Sequence, residues 1–285
     1  MLTELPAAEV QAIIDRALAE DIAWGDVTTR AIVPPDCRAR AEAIAKRAGV
    51  LAGGEVFVQT FRTLDPDVRV DTLLPDGSRL EVGQVIVALE GRATAILSAE
   101  RVALNFLQRM SGIATMTAAY VAALAGYPAR LVDTRKTVPG LRLLDKYAVR
   151  VGGGSNHRYN LADAVLIKDN HLAIARRSGL GIAEVIRLVR QRVSPFLKIE
   201  VEVESPAEAA EAAEAGADLI LLDNMPPAQM AEAVRAVAGR ALVEASGGIT
   251  LETIREVAAT GVDLISSGSL THSVRALDIS LEIRT

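Results

Sequence analysis

Four short apolar runs in the second half of the chain each end in a polar or glycine residue at nearly constant intervals. "IEVEVES" carries Glu202, "LILLDN" Asp223, "LVEASGG" Ser246 and "LISSGS" Gly268, with spacings of 21, 23 and 22 residues. Helical patterns such as "PAEAAEAAEAGAD" and "LETIREVAATGVD" lie between them. One strand and one helix per repeat of this size specify parallel β/α units, because parallel neighbours need a crossover connection. Two earlier runs, "ARLVDT" and "AVLIKD", extend the series toward the N-terminus. The pattern predicts a (β/α) barrel whose strand carboxyl ends, where such folds place their sites, are polar.

The first part of the chain reads differently. Val10, Ile13, Ile14, Ala17 and Leu18 fall at helical spacing, and "IAWGDVTT" reads as a loop. Between 37 and 92, short alternating runs punctuated by Pro75-Asp76-Gly77 and Gly83 predict a compact antiparallel sheet. "SAERVALNFLQRMSGIATMTAAYVAAL", 98 to 124, reads as a long helix with Ser98 as its N-cap and Gly112 as a hinge or break. Trp24 and Tyr147 read as packing residues, and His272 as structural.

Composition narrows the function. With 50% hydrophobic but 3% aromatic residues, aliphatic side chains must fill the core. A net charge of −5 argues against nucleic-acid binding. Cys37 is the single cysteine, so no internal disulfide and no cysteine-based zinc site forms, and the three histidines show no ligand spacing. The start, "MLTELPAAEVQ", has no secretory character, and no apolar run reaches the ~20 residues of a membrane span. A cytoplasmic location is the expectation.

Against that acidic balance, cations gather in one stretch. "DTRKTVPG" holds Arg135 and Lys136, "SNHR" holds His157 and Arg158, and "IKDNH" holds Lys168 and His171. If the first and third segments end strands, all three converge on one barrel mouth. Converging cations repel unless an anion bridges them, which predicts a multiply charged ligand. The alternative is that they line helix surfaces, as Arg142, Lys146 and Arg150 are expected to do. Glu202 and Asp223, at successive strand ends, suit a hard cation such as Mg²⁺ shared with phosphate oxygens, or equally structural ion pairs with the nearby lysines and arginines. Glu200 and Glu204 alternate in phase with Glu202, so pattern alone does not choose among the three. "ASGGI" and "SSGSL" expose backbone N–H groups that suit a phosphate.

The same segments carry a resemblance. "ERVALNFLQRMSGIAT", "DTRKTVPGLRLLDKYAVRVGGGSNHRYNLADAVLIKDNH", "EVEVES", "LILLDN", "EASGGI", "GSLTHS" and "EDIAWGDVTT" together resemble the quinolinate phosphoribosyltransferases over nearly the whole chain. The resemblance implies an N-terminal open α/β sandwich domain over 1–112, an incomplete (β/α) barrel over 113–272, and a tail at about 273–285 that returns to the first domain. It implies transfer of a phosphoribosyl group from 5-phosphoribosyl-1-pyrophosphate to quinolinate with loss of CO₂, giving nicotinate mononucleotide and pyrophosphate in NAD biosynthesis, with Mg²⁺ required. It also implies homodimers, sometimes assembled into hexamers, whose sites are completed by the neighbour's N-terminal domain.

Residue by residue, the resemblance implies that Thr134, Arg135, His157, Arg158 and Lys168 hold quinolinate. Arg101 would reach it from the partner subunit. Lys136, Glu202 and Asp223 would handle the pyrophosphate, the last two through Mg²⁺, and Ser246, Gly247, Gly248 and Gly268 would cradle the 5′-phosphate. A molybdate-operon paralogue shares the "GDVTT"-like start but is not expected to keep "KYAV", "GGGSNHR" and "LIKDNH" together.

Overall fold

A computed structural model describes residues 5–284. The chain divides into two compact units. The first takes the described residues up to Ala118, then Thr137–Gly153 and those from Leu270 onward; the second takes Ala119–Lys136 and Gly154–Ser269. These units differ from a simple division at residue 112, because the "TVPGLRLLDKYAVRVGG" segment packs with the first unit. Among the described residues no helix is long and apolar enough to cross a membrane.

The first unit is built on antiparallel pairing. Its strands are β1 (Arg38–Ala45), β2 (Gly49–Val50), β3 (Arg69–Leu73), β4 (Arg79–Leu80) and β5 (Val85–Arg92). β1 lies between β5 and the C-terminal strand Ile279–Arg284, with β3 outside β5; β2 and β4 form a separate small ladder. The C-terminal strand thus closes one side of the sheet, pairing Ala41 with Ile283 and Ala45 with Ile279. The helix Gly54–Leu64 buries Phe57 and Phe61 edge to face, and the helix Ala7–Ile22 buries Val10, Ile14 and Leu18, one full apolar stripe. The sheet and helix patterns read from the sequence therefore stand.

Several local expectations do not. "GDVTT" is a short helix, Val27–Ile32, capped by Asp26, whose carboxylate accepts the Thr29 N–H at 2.9 Å. The long helix runs Ala93–Ala123, so Ser98 is inside it and donates its hydroxyl to Asp26 instead of capping. Gly112 does not break that helix. A side chain there would meet the Arg275 carbonyl at 2.3 Å, so the glycine permits close approach of the C-terminal segment. Trp24 is 95% exposed and packs no core, whereas Lys146, expected on a surface, is buried. Tyr147 is half-buried and hydrogen-bonds Asp76, as suits a packing role.

The second unit is a six-stranded parallel sheet made of β6 (Arg130–Val132), β7 (Val165–Ile167), β8 (Ile199–Val203), β9 (Leu219–Asp223), β10 (Leu242–Ser246) and β11 (Leu264–Ser266), in the spatial order β6-β11-β10-β9-β8-β7. Every neighbouring pair is parallel, as the repeat requires. Six strands where a closed barrel of this kind has eight make it incomplete. In β8 all five residues are buried, with Glu200 and Glu202 on one face and Ile199, Val201 and Val203 on the other. That face collects polar side chains at its carboxyl end: Asp133 directly follows β6, Lys168 follows β7, and Asp223 and Ser246 end β9 and β10 side by side.

Candidate active site

Asp133 organises one wall of the site. Its fully buried carboxylate accepts the Asn156 side-chain amide at 2.7 Å and the His157 backbone N–H at 2.8 Å. Ser155 bridges to Val132 in parallel, so the "SNHR" loop is drawn against the end of β6. This brings Arg135, His157 and Arg158 to one cleft, of about 530 Å³, together with Thr134, Lys136 and Lys168. The cations expected to converge do so.

Their environments differ. Burial and the nearby Arg135 both press the Arg158 guanidinium below its ordinary range, while Glu200 opposes them. Arg158 also donates to the Ala164 carbonyl at 2.9 Å. Lys168 is half-exposed and pairs with Glu202 at 3.2 Å. His171 is not part of the cleft: its ring accepts the Lys168 N–H at 2.9 Å and caps the helix Asp169–Arg176.

The opposite wall holds Glu202, Asp223, Ser246, Gly247 and Gly248. Gly247 and Gly248 both have positive φ, and a side chain on Gly247 would lie 2.1 Å from the Asn224 amide oxygen. Only glycine lets the loop pass there with its N–H groups open to the cleft. Asn224 itself adopts a left-handed conformation and donates to Asp223 at 2.8 Å. Glu202 and Asp223 stand on adjacent strands and offer hard oxygen donors, the set Mg²⁺ takes when phosphate oxygens complete its shell. Glu204, by contrast, is exposed and its N–H bonds Glu208, so the fold separates it from Glu202 where sequence pattern did not.

Two expected residues lie elsewhere. Gly268 follows β11 but does not line the cleft. Arg101 belongs to the first unit, exposed beside an apolar cleft of about 380 Å³ that also includes Arg16, Phe106 and Leu141. Four lining residues went unselected in the sequence: Asn224, Glu244, Ser266 and Leu166. Asn224, after the Asp223 it supports, was legible as a polar strand end. Glu244 was not, because it sits two residues inside β10. It is fully buried, and burial together with Glu200 raises its carboxyl to about 7.

A cationic wall facing carboxylates and a glycine loop at the mouth of a parallel α/β fold suits a substrate that is anionic at both ends. Comparison with known proteins gives the chemistry. Residues 26–111 match the N-terminal domain of quinolinate phosphoribosyl transferase, and residues 113–282 match its C-terminal domain. The chain belongs to the quinolinate phosphoribosyltransferase family. It is 43% identical to a probable nicotinate-nucleotide pyrophosphorylase [carboxylating] of Bacillus subtilis, over 96% of this chain and 93% of that one. It is 42% identical to quinolinate phosphoribosyltransferase [decarboxylating] 1b of Nicotiana tabacum, over 98% of this chain and 84% of the relative. The crystal structure of NadC from Streptococcus pyogenes superposes with a TM-score of 0.93 at 44% identity, covering 99% of both chains. The mixed architecture, parallel sheet plus separate antiparallel sheet, is the family's.

Proposed function

We propose that this enzyme transfers the phosphoribosyl group of 5-phosphoribosyl-1-pyrophosphate to the ring nitrogen of quinolinate and releases the adjacent carboxyl as CO₂, forming nicotinate mononucleotide and pyrophosphate. The observation that carries this is the gathering of Arg135, Lys136, Arg158 and Lys168 on one wall of a single cleft. Bringing a dianion and a polyphosphate together demands such preorganised positive charge.

Arg135, Arg158 and Lys168 would take the two ring carboxylates, with Thr134 alongside. This orients the ring nitrogen toward the ribose. Lys136 would meet the pyrophosphate. The Ser246–Gly248 loop would hold the 5′-phosphate by its N–H groups, and Gly268, outside the cleft lining, would support that region only through the turn after β11. Glu202 and Asp223 would hold a Mg²⁺ shared with phosphate oxygens, which when bound supplies neutralisation of charge on the departing pyrophosphate. The chain contributes no nucleophile to this scheme; its residues position the reactants and stabilise charge. Once the ring nitrogen carries the ribose it is cationic, and so favours loss of the neighbouring carboxylate.

Release of label from carboxyl-labelled quinolinate, with nicotinate mononucleotide appearing in step, tests the reading. Both are expected only when phosphoribosyl pyrophosphate and Mg²⁺ are present; a folded protein silent with both would overturn it.

The family's homodimer, with sites shared between subunits, extends the proposal to Arg101, which would complete the neighbour's cleft; a hexamer would be built from the same pairs. If so, inactive Arg101→Ala and inactive Lys136→Ala chains recover activity when mixed, since one intact site then forms per heterodimer. No recovery, with subunit exchange verified, assigns Arg101 to its own chain. A cytoplasmic location is proposed from the bacterial relative; other relatives, in Nicotiana tabacum and Arabidopsis thaliana, are described as mitochondrial and chloroplastic.

A further inference from the structure

Below the cationic wall lies a buried layer that the proposed reaction leaves unused. Glu200 is one pleat beneath Glu202 on β8, and Glu244 one pleat beneath Ser246 on β10. Their carboxylates face His157. Its Nε2 is 3.1 Å from Glu200 Oε2 and 3.5 Å from Glu244 Oε2. Its Nδ1 is 2.8 Å from the Arg158 backbone nitrogen. A backbone N–H can only donate, so Nδ1 is an acceptor and the ring proton sits on Nε2, aimed at the two carboxylates. The imidazole is thereby spoken for at both ends by the protein, which does not suit the cationic carboxylate ligand that the resemblance implies.

The pair is short of donors. Glu200 Oε1 and both Glu244 oxygens are buried with no hydrogen-bond partner, an arrangement that costs stability unless it serves something else. The three side chains come within 4.8 Å of one another, close enough to hold a metal ion. The surrounding charge argues against that use: Arg158 is coupled to both Arg135 and Glu200, so the cluster already has its cations.

We infer that Glu200 and Glu244 are positioning residues of the dicarboxylate site: they hold His157 as an Nε2–H donor, and His157 in turn fixes the Arg158 backbone through Nδ1. This rests on the cleft being the quinolinate site. It assigns His157 a supporting role, as a strut between the buried carboxylates and the arginine that meets substrate, and it makes the pair a standing counter-charge for the guanidiniums before substrate arrives.

Two readouts on full-length Glu200→Leu, Glu200→Gln and Glu244→Leu test it. The first is the ring ¹⁵N spectrum of His157, tractable with three histidines in the chain and assigned by its loss in His157→Asn. The second is the affinity for quinolinate, by calorimetry, beside the KM for phosphoribosyl pyrophosphate. Wild type is expected to show the Nε2–H tautomer. Glu200→Leu shifts it to a mixture and weakens quinolinate on the order of tenfold, the cost of one lost charge-assisted bond, while the KM for phosphoribosyl pyrophosphate holds. Glu200→Gln keeps an acceptor and restores most of the affinity. Glu244→Leu moves both readouts the same way but less, and decides the matter if Glu200→Leu does not fold. An unchanged tautomer and unchanged affinity in a folded variant overturn the inference, as does equal damage to both substrates. Wild type that fails to bind quinolinate defeats the functional reading instead, while the tautomer readout still judges the strut.

Discussion

Each unit buries carboxylate near a cation, and the two do so in opposite ways. In the first, Asp145 is fully buried and fully answered: Arg109 donates to its two oxygens at 2.8 and 2.7 Å, and the Val138 N–H adds a third bond at 3.2 Å. Arg109 also reaches the Thr271 carbonyl. In the second, Glu200 and Glu244 are as deeply buried but leave three oxygens without donors. A satisfied buried pair is scaffold, since nothing remains for a ligand to do. An unsatisfied one beside a cleft of guanidiniums is stability given up for a site.

Breaking the functional side gives the largest effect. Lys168→Ala or Arg135→Ala is expected to cost about 2–5 kcal/mol in quinolinate-dependent turnover, measured as kcat/KM, with circular dichroism and thermal unfolding close to wild type. Wild-type affinity for quinolinate in either variant would refute the assigned role. Breaking the scaffold side gives the reverse pattern. Asp145→Asn leaves Arg109 without its counter-charge and should lower stability by about 3–5 kcal/mol in chemical denaturation. A loss under 1 kcal/mol would place Asp145 among surface-like pairs.

The smallest expected effect sharpens the contrast through pH. Glu244 is raised from 4.5 to about 7 in the folded protein. Between those values the folded state binds more protons than the unfolded chain, so stability falls as pH rises through the window. Below about 4.5 the carboxyl is neutral in both states and the penalty vanishes. Glu244→Gln should therefore gain on wild type from pH 5 to pH 8, by at most roughly 3 kcal/mol, in paired denaturation curves. Parallel curves at both pH values would show that the carboxyl is not held neutral by burial.

The contrast also explains what the sequence disclosed. The parallel sheet was legible because β9, β10 and β11 recur at a constant interval, and the cationic wall because its residues cluster in the chain or end strands. Asp145 and Lys146 looked like surface positions on a helix; their burial depends on Arg109 and on packing from distant segments, which no local period reports. Glu244 lies inside a strand, where a carboxylate reads as a register irregularity until β8 brings Glu200 to the same face. Asp26 was the reverse case: an N-cap signal was present in "GDVTT", but six residues of helix leave too little periodicity to announce themselves. Trp24 was misplaced because its size suggests burial while its setting, a short turn between helices, leaves it exposed.

The central claim is that the cleft reads two carboxylates on one ring. Calorimetric titration of the folded enzyme with quinolinate and with nicotinate, which lacks the second carboxylate, addresses it directly. The account predicts that quinolinate binds at least on the order of tenfold more tightly, the worth of one charge-assisted contact. Equal affinities, or a preference for nicotinate, would contradict it.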